Sequence, residues 1–144
     1  MIISNEKPPI WDEANKLFKL EELKLGTIFA YGDTLYNPFD QPLTQDLIVH
    51  EMRHAEQQGH DRTIAGLWWK RYLADLAFRL SQEVEAYGEQ YRYFCTIRKD
   101  RNEQNRILIR LGDMLAGPMY GNMVDPSEAR RLIRIHSFSE KKGV

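Results

Sequence analysis

The sequence predicts a mostly helical α+β fold, and three observations carry that expectation. Apolar residues recur at helical spacing over most of the 144 residues. A short β-branched and aromatic stretch is interrupted by Gly32-Asp33, as a hairpin would be. No uninterrupted apolar run reaches membrane-spanning length. A chain of this size buries a core without staples, so one domain over residues 1–144 is expected, with 1–10 and 137–144 as flexible tails.

Residues 11 to 23 carry Trp11, Ala14, Leu17, Phe18 and Leu20 at roughly helical intervals, with Gly26 as a stop signal, which predicts a short helix. Residues 27–31 and 34–36 flank Gly32-Asp33, a pair suited to a two-residue type II′ turn; the expected hairpin ends at Asn37-Pro38. From Thr44 to Gln58 there is no Gly or Pro, Thr44 or Asp46 offers a cap, and Leu47, Ile48, Met52 and Ala55 supply an apolar face. Beyond Gly59, Trp68-Trp69 open a long helical stretch reaching Phe94, with the paired tryptophans read as core. Ile107, Leu108, Leu111 and Leu115 form the face of a helix over 105–116, ended by Gly117-Pro118. Asp125-Pro126-Ser127-Glu128 combines a cap, Pro at the first helical position and Glu three residues after the cap, starting a helix that should reach about Ile135.

A formal net charge of −1 with 28% charged residues argues against a nucleic-acid or membrane-surface partner. Arg106 and Arg110, and Arg130 and Arg134, fall one turn apart, but with acidic neighbours they read as solvated helix faces. The first nine residues lack the apolar core of a signal peptide, which predicts a cytoplasmic protein. Cys95 is the only cysteine, so it cannot form an internal disulfide or build a thiolate zinc site, and any metal falls to His and carboxylate ligands.

The chemistry sits in His50-Glu51-Met52-Arg53-His54. Histidines four apart on a helix lie about 40° from each other around the axis and one turn apart along it, so both imidazoles reach one metal ion. Glu51 then projects beside the metal, where a carboxylate can take a proton from activated water and deliver it to a leaving group. A catalytic zinc normally has three protein ligands, so a third is needed. His60 follows His54 by six residues, the spacing of the third histidine in the metzincin pattern, but Gln57 stands where that pattern needs Gly, with the glycine displaced to Gly59. The other source is the run Ser81-Gln82-Glu83-Val84-Glu85-Ala86-Tyr87.

Glu83-Val84-Glu85-Ala86 resembles the E-x-x-A element that supplies a glutamate ligand in gluzincin peptidases. With the hairpin, Asn37-Pro38, the pentapeptide and its following Gln57 and Gln58, residues 27–95 resemble a minimal gluzincin-type zinc metallopeptidase of bacterial or phage origin. The resemblance implies a zincin-like fold with the hairpin beside the motif helix. It implies Zn2+ held by His50, His54 and Glu83, Glu51 as general base and acid, and a peptide or protein substrate. Many gluzincins carry Asp or Asn four residues after the ligand glutamate to orient a histidine; Glu83 has Tyr87 there, whereas Glu85 has Glu89. Residues 83 and 85 lie about 200° apart around a helix, so only one can face the metal. Glu83, Glu85 and His60 therefore stay open as third ligand, with Glu83 preferred. Tyr87, Tyr120, His60 and His136 are candidates to stabilise a developing oxyanion. In zinc peptidases the strand before the motif helix often offers its edge to substrate; the alternative role for this hairpin is core cover. Two other functions remain open: a zinc-binding assembly or interaction module without proteolysis, and a metal-free helical protein that binds a partner.

Overall fold

The computed structural model describes the backbone of residues 1–142 and side chains through residue 138. The fold is α+β and dominated by helix. A three-stranded sheet is built from β1 (Ile2–Ser4), β2 (Phe29–Tyr31) and β3 (Thr34–Tyr36), with β3 in the centre. β2 and β3 form the expected hairpin, with Tyr31 opposite Thr34 and Phe29 opposite Tyr36. Gly32 has φ +64° while Asp33 stays at negative φ, as a type II′ turn requires. A Cβ on Gly32 would also stand 2.9 Å from the Arg62 backbone nitrogen, so the position needs glycine twice over.

Within the segment expected as a tail, residues 2–4 form a strand. Ile2, Ile3 and Ser4 pair in parallel with Thr34, Leu35 and Tyr36, and the Asn37 amide donates to the Ser4 carbonyl at 2.7 Å. Both isoleucines remain more than half exposed, so the strand is held by its backbone and not by burial. The single helix expected over 11–23 is two, α1 (Trp11–Phe18) and α2 (Leu20–Leu23), because Lys19 adopts a left-handed conformation and the Asn15 side chain caps the Glu21 amide at 3.0 Å.

The motif helix is α3 (Gln45–Gln57). Its inner face differs from the expected apolar one: His50, Glu51, His54 and Ala55 are buried, Leu47 and Ile48 half-buried and Met52 exposed. The stretch reaching Phe94 is also divided, into α4 (Arg62–Ala74) and α5 (Leu76–Ile97), by Asp75, whose carboxylate caps the Phe78 amide. α6 (Arg101–Leu115) leads through a 3-10 turn at Pro118–Tyr120 to α7 (Pro126–Lys142). The Asp125 carboxylate accepts from the Glu128 amide at 2.8 Å, as the capping signal predicts. α7 continues beyond Ile135: the Ser137 hydroxyl is buried and donates to the Gly88 carbonyl of α5 at 2.9 Å, so part of the tail expected from residue 137 is packed helix. Residues 143–144 of that tail lie outside the described residues.

Two apolar clusters make the core. One gathers Trp11, Phe29, Tyr31, Trp68, Trp69 and Tyr72 between the hairpin and α4; the other gathers Tyr87, Ile107, Leu108, Leu111, Leu115 and Ile133 among α5, α6 and α7. α3 crosses α5, and the hairpin is fastened to the end of α3 by Gln58, which is fully buried. Its amide oxygen accepts from Gly32 N–H at 2.7 Å and its amide nitrogen donates to the Ala30 carbonyl at 3.0 Å. Among the described residues no helix is long and apolar enough to cross a membrane.

Candidate metal centre

α3 and α5 bring His50, His54 and Glu83 together. Glu83 Oε1 lies 3.1 Å from His50 Nε2 and 3.2 Å from His54 Nε2, and the three side chains are all at least nine-tenths buried. One donor atom from each residue falls within 4.8 Å of the others, so the group could hold a metal ion. Nitrogen and oxygen ligands about 2.0–2.1 Å from a tetrahedral ion are separated by about 3.3 Å, close to both histidine–carboxylate distances.

Hydrogen bonds behind the ligands fix which nitrogen faces the centre. His50 Nδ1 lies 3.0 Å from Gln90 Oε1, and the Gln90 amide nitrogen donates to Asp46 Oδ2 at 2.8 Å. His54 Nδ1 lies 2.8 Å from Gln57 Oε1, and the Gln57 amide nitrogen donates to the Gln82 carbonyl at 3.1 Å. Since each amide nitrogen is occupied elsewhere, each amide oxygen faces its imidazole and accepts a proton from Nδ1. The Nε2 lone pairs are thereby available to a metal. Glu83 is held in turn by Tyr72, whose hydroxyl donates to Oε2 at 2.5 Å and leaves Oε1 to the histidines. Trp68 stacks on Tyr72 and touches the His54 ring, while Tyr87 meets the His50 ring edge to face.

The electrostatics follow from burial and close charge. With no metal present, burial alone would lower the His54 pKa, but Glu83 outweighs it and pushes His54 up to about 9. Burial raises the Glu83 carboxyl, and the two histidines outweigh that to hold it far below the usual carboxylate range. Glu51 moves the other way. Burial lifts its carboxyl above the ordinary value and nearby Glu83 adds to the rise; the two histidines and a backbone hydrogen bond from Ala30 act against it. Burial likewise raises the Tyr72, Tyr87 and Tyr120 hydroxyls, with Glu83 adding to each, so all three are proton donors across ordinary pH.

No family model matches this chain, and neither a curated protein nor a solved structure does.

The remaining candidates separate by position. Glu85 points away from the centre and pairs with Arg53 Nη2 at 2.9 Å, which ties α5 to the outer face of α3. His60 is exposed in a left-handed turn after α3, with φ +53°, and is not part of the cluster. A cavity of about 800 Å³ opens over the three ligands, and Glu51, Tyr87 and Tyr120 line it while His60 and His136 do not. Tyr87 and Tyr120 face each other with hydroxyls 3.0 Å apart. Three supporting residues escape the sequence reading: Tyr72, Gln90 and Gln57 in its role on His54. A signal for two of them existed, since Gln90 falls two turns after Glu83 on the same face of α5, and Gln57 one turn after His54.

Proposed function

We propose that this protein is a zinc-dependent metallopeptidase of gluzincin type. The observation that carries the reading is that Glu51, outside the His50, His54 and Glu83 group, is a buried carboxylate lining the same cavity, its pKa raised above the ordinary value by burial. The two-imidazole, one-carboxylate donor set of His50, His54 and Glu83 suits zinc and would hold it beside the cavity. Zinc, when bound there, supplies Lewis acidity to a scissile carbonyl and lowers the pKa of water. Glu51 removes a proton from the attacking water as its oxygen bonds to the carbonyl carbon. It then passes that proton to the amine as the C–N bond breaks. Tyr87 and Tyr120 line the cavity with their hydroxyls hydrogen-bonded to each other, so one proton of the pair is left to donate to the oxyanion.

A peptide or protein substrate is favoured by the cavity mouth, where Leu17, Leu23, Leu25 and Met114 are all at least 44% exposed. The outward carbonyl of Ala30 on β2 is already taken by Gln58 and by the Trp69 indole N–H at 2.9 Å. Strand addition would therefore begin upstream, at Thr27 and Ile28, which line the cavity. The test is Glu51→Gln: it is expected to retain near-stoichiometric zinc and lose peptide hydrolysis. Wild-type protein that folds and takes up no zinc would overturn the reading, and zinc retained with hydrolysis unchanged in the variant would remove Glu51 from it.

A further inference from the structure

Resting on that metal reading, we propose that Gln90 and Gln57 are positioning residues that present His50 and His54 to the metal through neutral amides, so that the Asp46 carboxylate acts on His50 only at one remove. The supporting partner of a metal-bound histidine is commonly a carboxylate, backbone carbonyl or water, and a carboxylate makes the imidazole a stronger ligand. Here a carboxylate is close at hand but is not the partner. Asp46 accepts from the far end of Gln90, whose own oxygen receives the His50 Nδ1 proton. Gln90 is buried, and its two hydrogen bonds leave it one orientation: reversing the amide would set its nitrogen against His50 Nδ1–H and its oxygen against the Asp46 carboxylate. Gln57 is held the same way between His54 and the Gln82 carbonyl. Both imidazoles are thus locked in one tautomer without an added negative charge behind them. Glu83 is left as the one anionic ligand, itself engaged by the neutral Tyr72 hydroxyl. Such a shell holds the metal less tightly than carboxylate-backed histidines would, and leaves more of the ion's positive charge for substrate.

The double substitution Asp46→Asn with Gln90→Glu isolates this point. It exchanges amide and carboxylate in place, keeps net charge and the number of hydrogen bonds, and moves the anion directly onto His50. Zinc affinity by chelator competition is expected to tighten by about tenfold in the exchanged protein and to weaken by roughly 10–100-fold in Gln90→Ala, with helix content by circular dichroism retained. An exchanged protein that binds zinc within twofold of wild type overturns the proposal while leaving the metal site standing; a wild-type protein without zinc affinity fails the metal reading itself. If the exchanged protein does not fold, Gln90→Ala decides, with unchanged affinity overturning the proposal and tenfold or greater weakening supporting it.

Discussion

Replacing Glu83 by Gln should separate the third ligand from its neighbour Glu85, both in stability and in metal binding. Glu83 is buried against two imidazoles and the Tyr72 hydroxyl, and without metal it is the counter-charge that keeps His54 protonated up to about 9. Removing the charge while keeping the shape strands the His54 proton. The displacement from an ordinary 6.5 to about 9 corresponds to about 3 kcal/mol, within the range of about 3–5 kcal/mol for breaking a buried pair from one side. For a domain of this size that is a fall in Tm of roughly 10 °C. Glu85→Gln breaks only the Arg53 pair, whose side chains are 33% and 20% exposed, so solvent screening limits its effect to about 0–1 kcal/mol. Thermal melts of both variants in chelator at pH 6 give the stability contrast, and zinc competition gives the second readout. Glu83→Gln should lose more affinity than the roughly 10–100-fold expected for a supporting partner, and Glu85→Gln almost none. Equal melting temperatures together with equal zinc affinities would refute the assignment of Glu83.

The same pair sets a pH dependence. His54 has a folded pKa above its ordinary 6.5, so its contribution is complete below pH 6.5 and is lost as pH rises through about 9; Glu83 is depressed, so its contribution is present above about 4.5 and is lost as pH falls further. Metal-free protein should therefore be most favoured by this pair between about pH 4.5 and 6.5 and should melt progressively lower toward pH 9, whereas the increase in Tm given by saturating zinc should grow over that interval because zinc displaces the His54 proton; a metal-free melting temperature that does not fall between pH 6.5 and 9 would count against the ion pair. At the crossing of α5 and α7, Gly88→Ala should destabilise by about 1–3 kcal/mol although alanine is the better helix former, because its Cβ would stand 2.9 Å from the Cβ and Cγ of His136; an unchanged or raised urea midpoint would show that α7 is not seated there.

What was legible in the sequence follows from what each residue's chemistry demands. The two histidines and Glu51 announce themselves because their spacing has few other uses; helix geometry lets only one of Glu83 and Glu85 face α3, and Glu83 ranks first only through the resemblance of Glu83-Val84-Glu85-Ala86 to the E-x-x-A element. Gln57 and Gln90 carry no such signature: an amide in a helix is ordinary, and its role appears only when the oxygen is seen facing an imidazole with the nitrogen engaged elsewhere. Tyr72 comes from a different helix, so no spacing could connect it to Glu83. The N-terminal strand was illegible for the opposite reason, since Ile2 and Ile3 bury too little to leave a pattern and the pairing rests on backbone groups that every residue has. The apolar face expected for α3 failed because that expectation assumes a helix turns grease inward, and this helix turns its site inward.

α5 bears most directly on the choice between a metal site and an incidental motif. Arg79, Glu83, Tyr87 and Gln90 recur along one side of a 22-residue helix, all at least nine-tenths buried. Arg79 donates to the Tyr72 and Leu73 carbonyls at the end of α4 and to the Met119 carbonyl in the turn that carries Tyr120, so it fixes two elements that bring hydroxyls to the centre. A helical protein that only had to hold together would gain little from such a stripe, because apolar residues of similar volume in place of a buried charged network commonly leave stability equal or higher. Desolvating an arginine, a glutamate, two histidines and the supporting amides is costly, and the network recovers that cost only with every partner in place. Without metal the convergence of His50, His54 and Glu83 is itself a stabilising ion pair; what stability does not require is that the pair opens onto a cavity, with the other atoms of the same side chains occupied elsewhere. A metal-free binding protein accounts for the ion pair alone, whereas the proposed metal site accounts for both the pair and its opening onto the cavity.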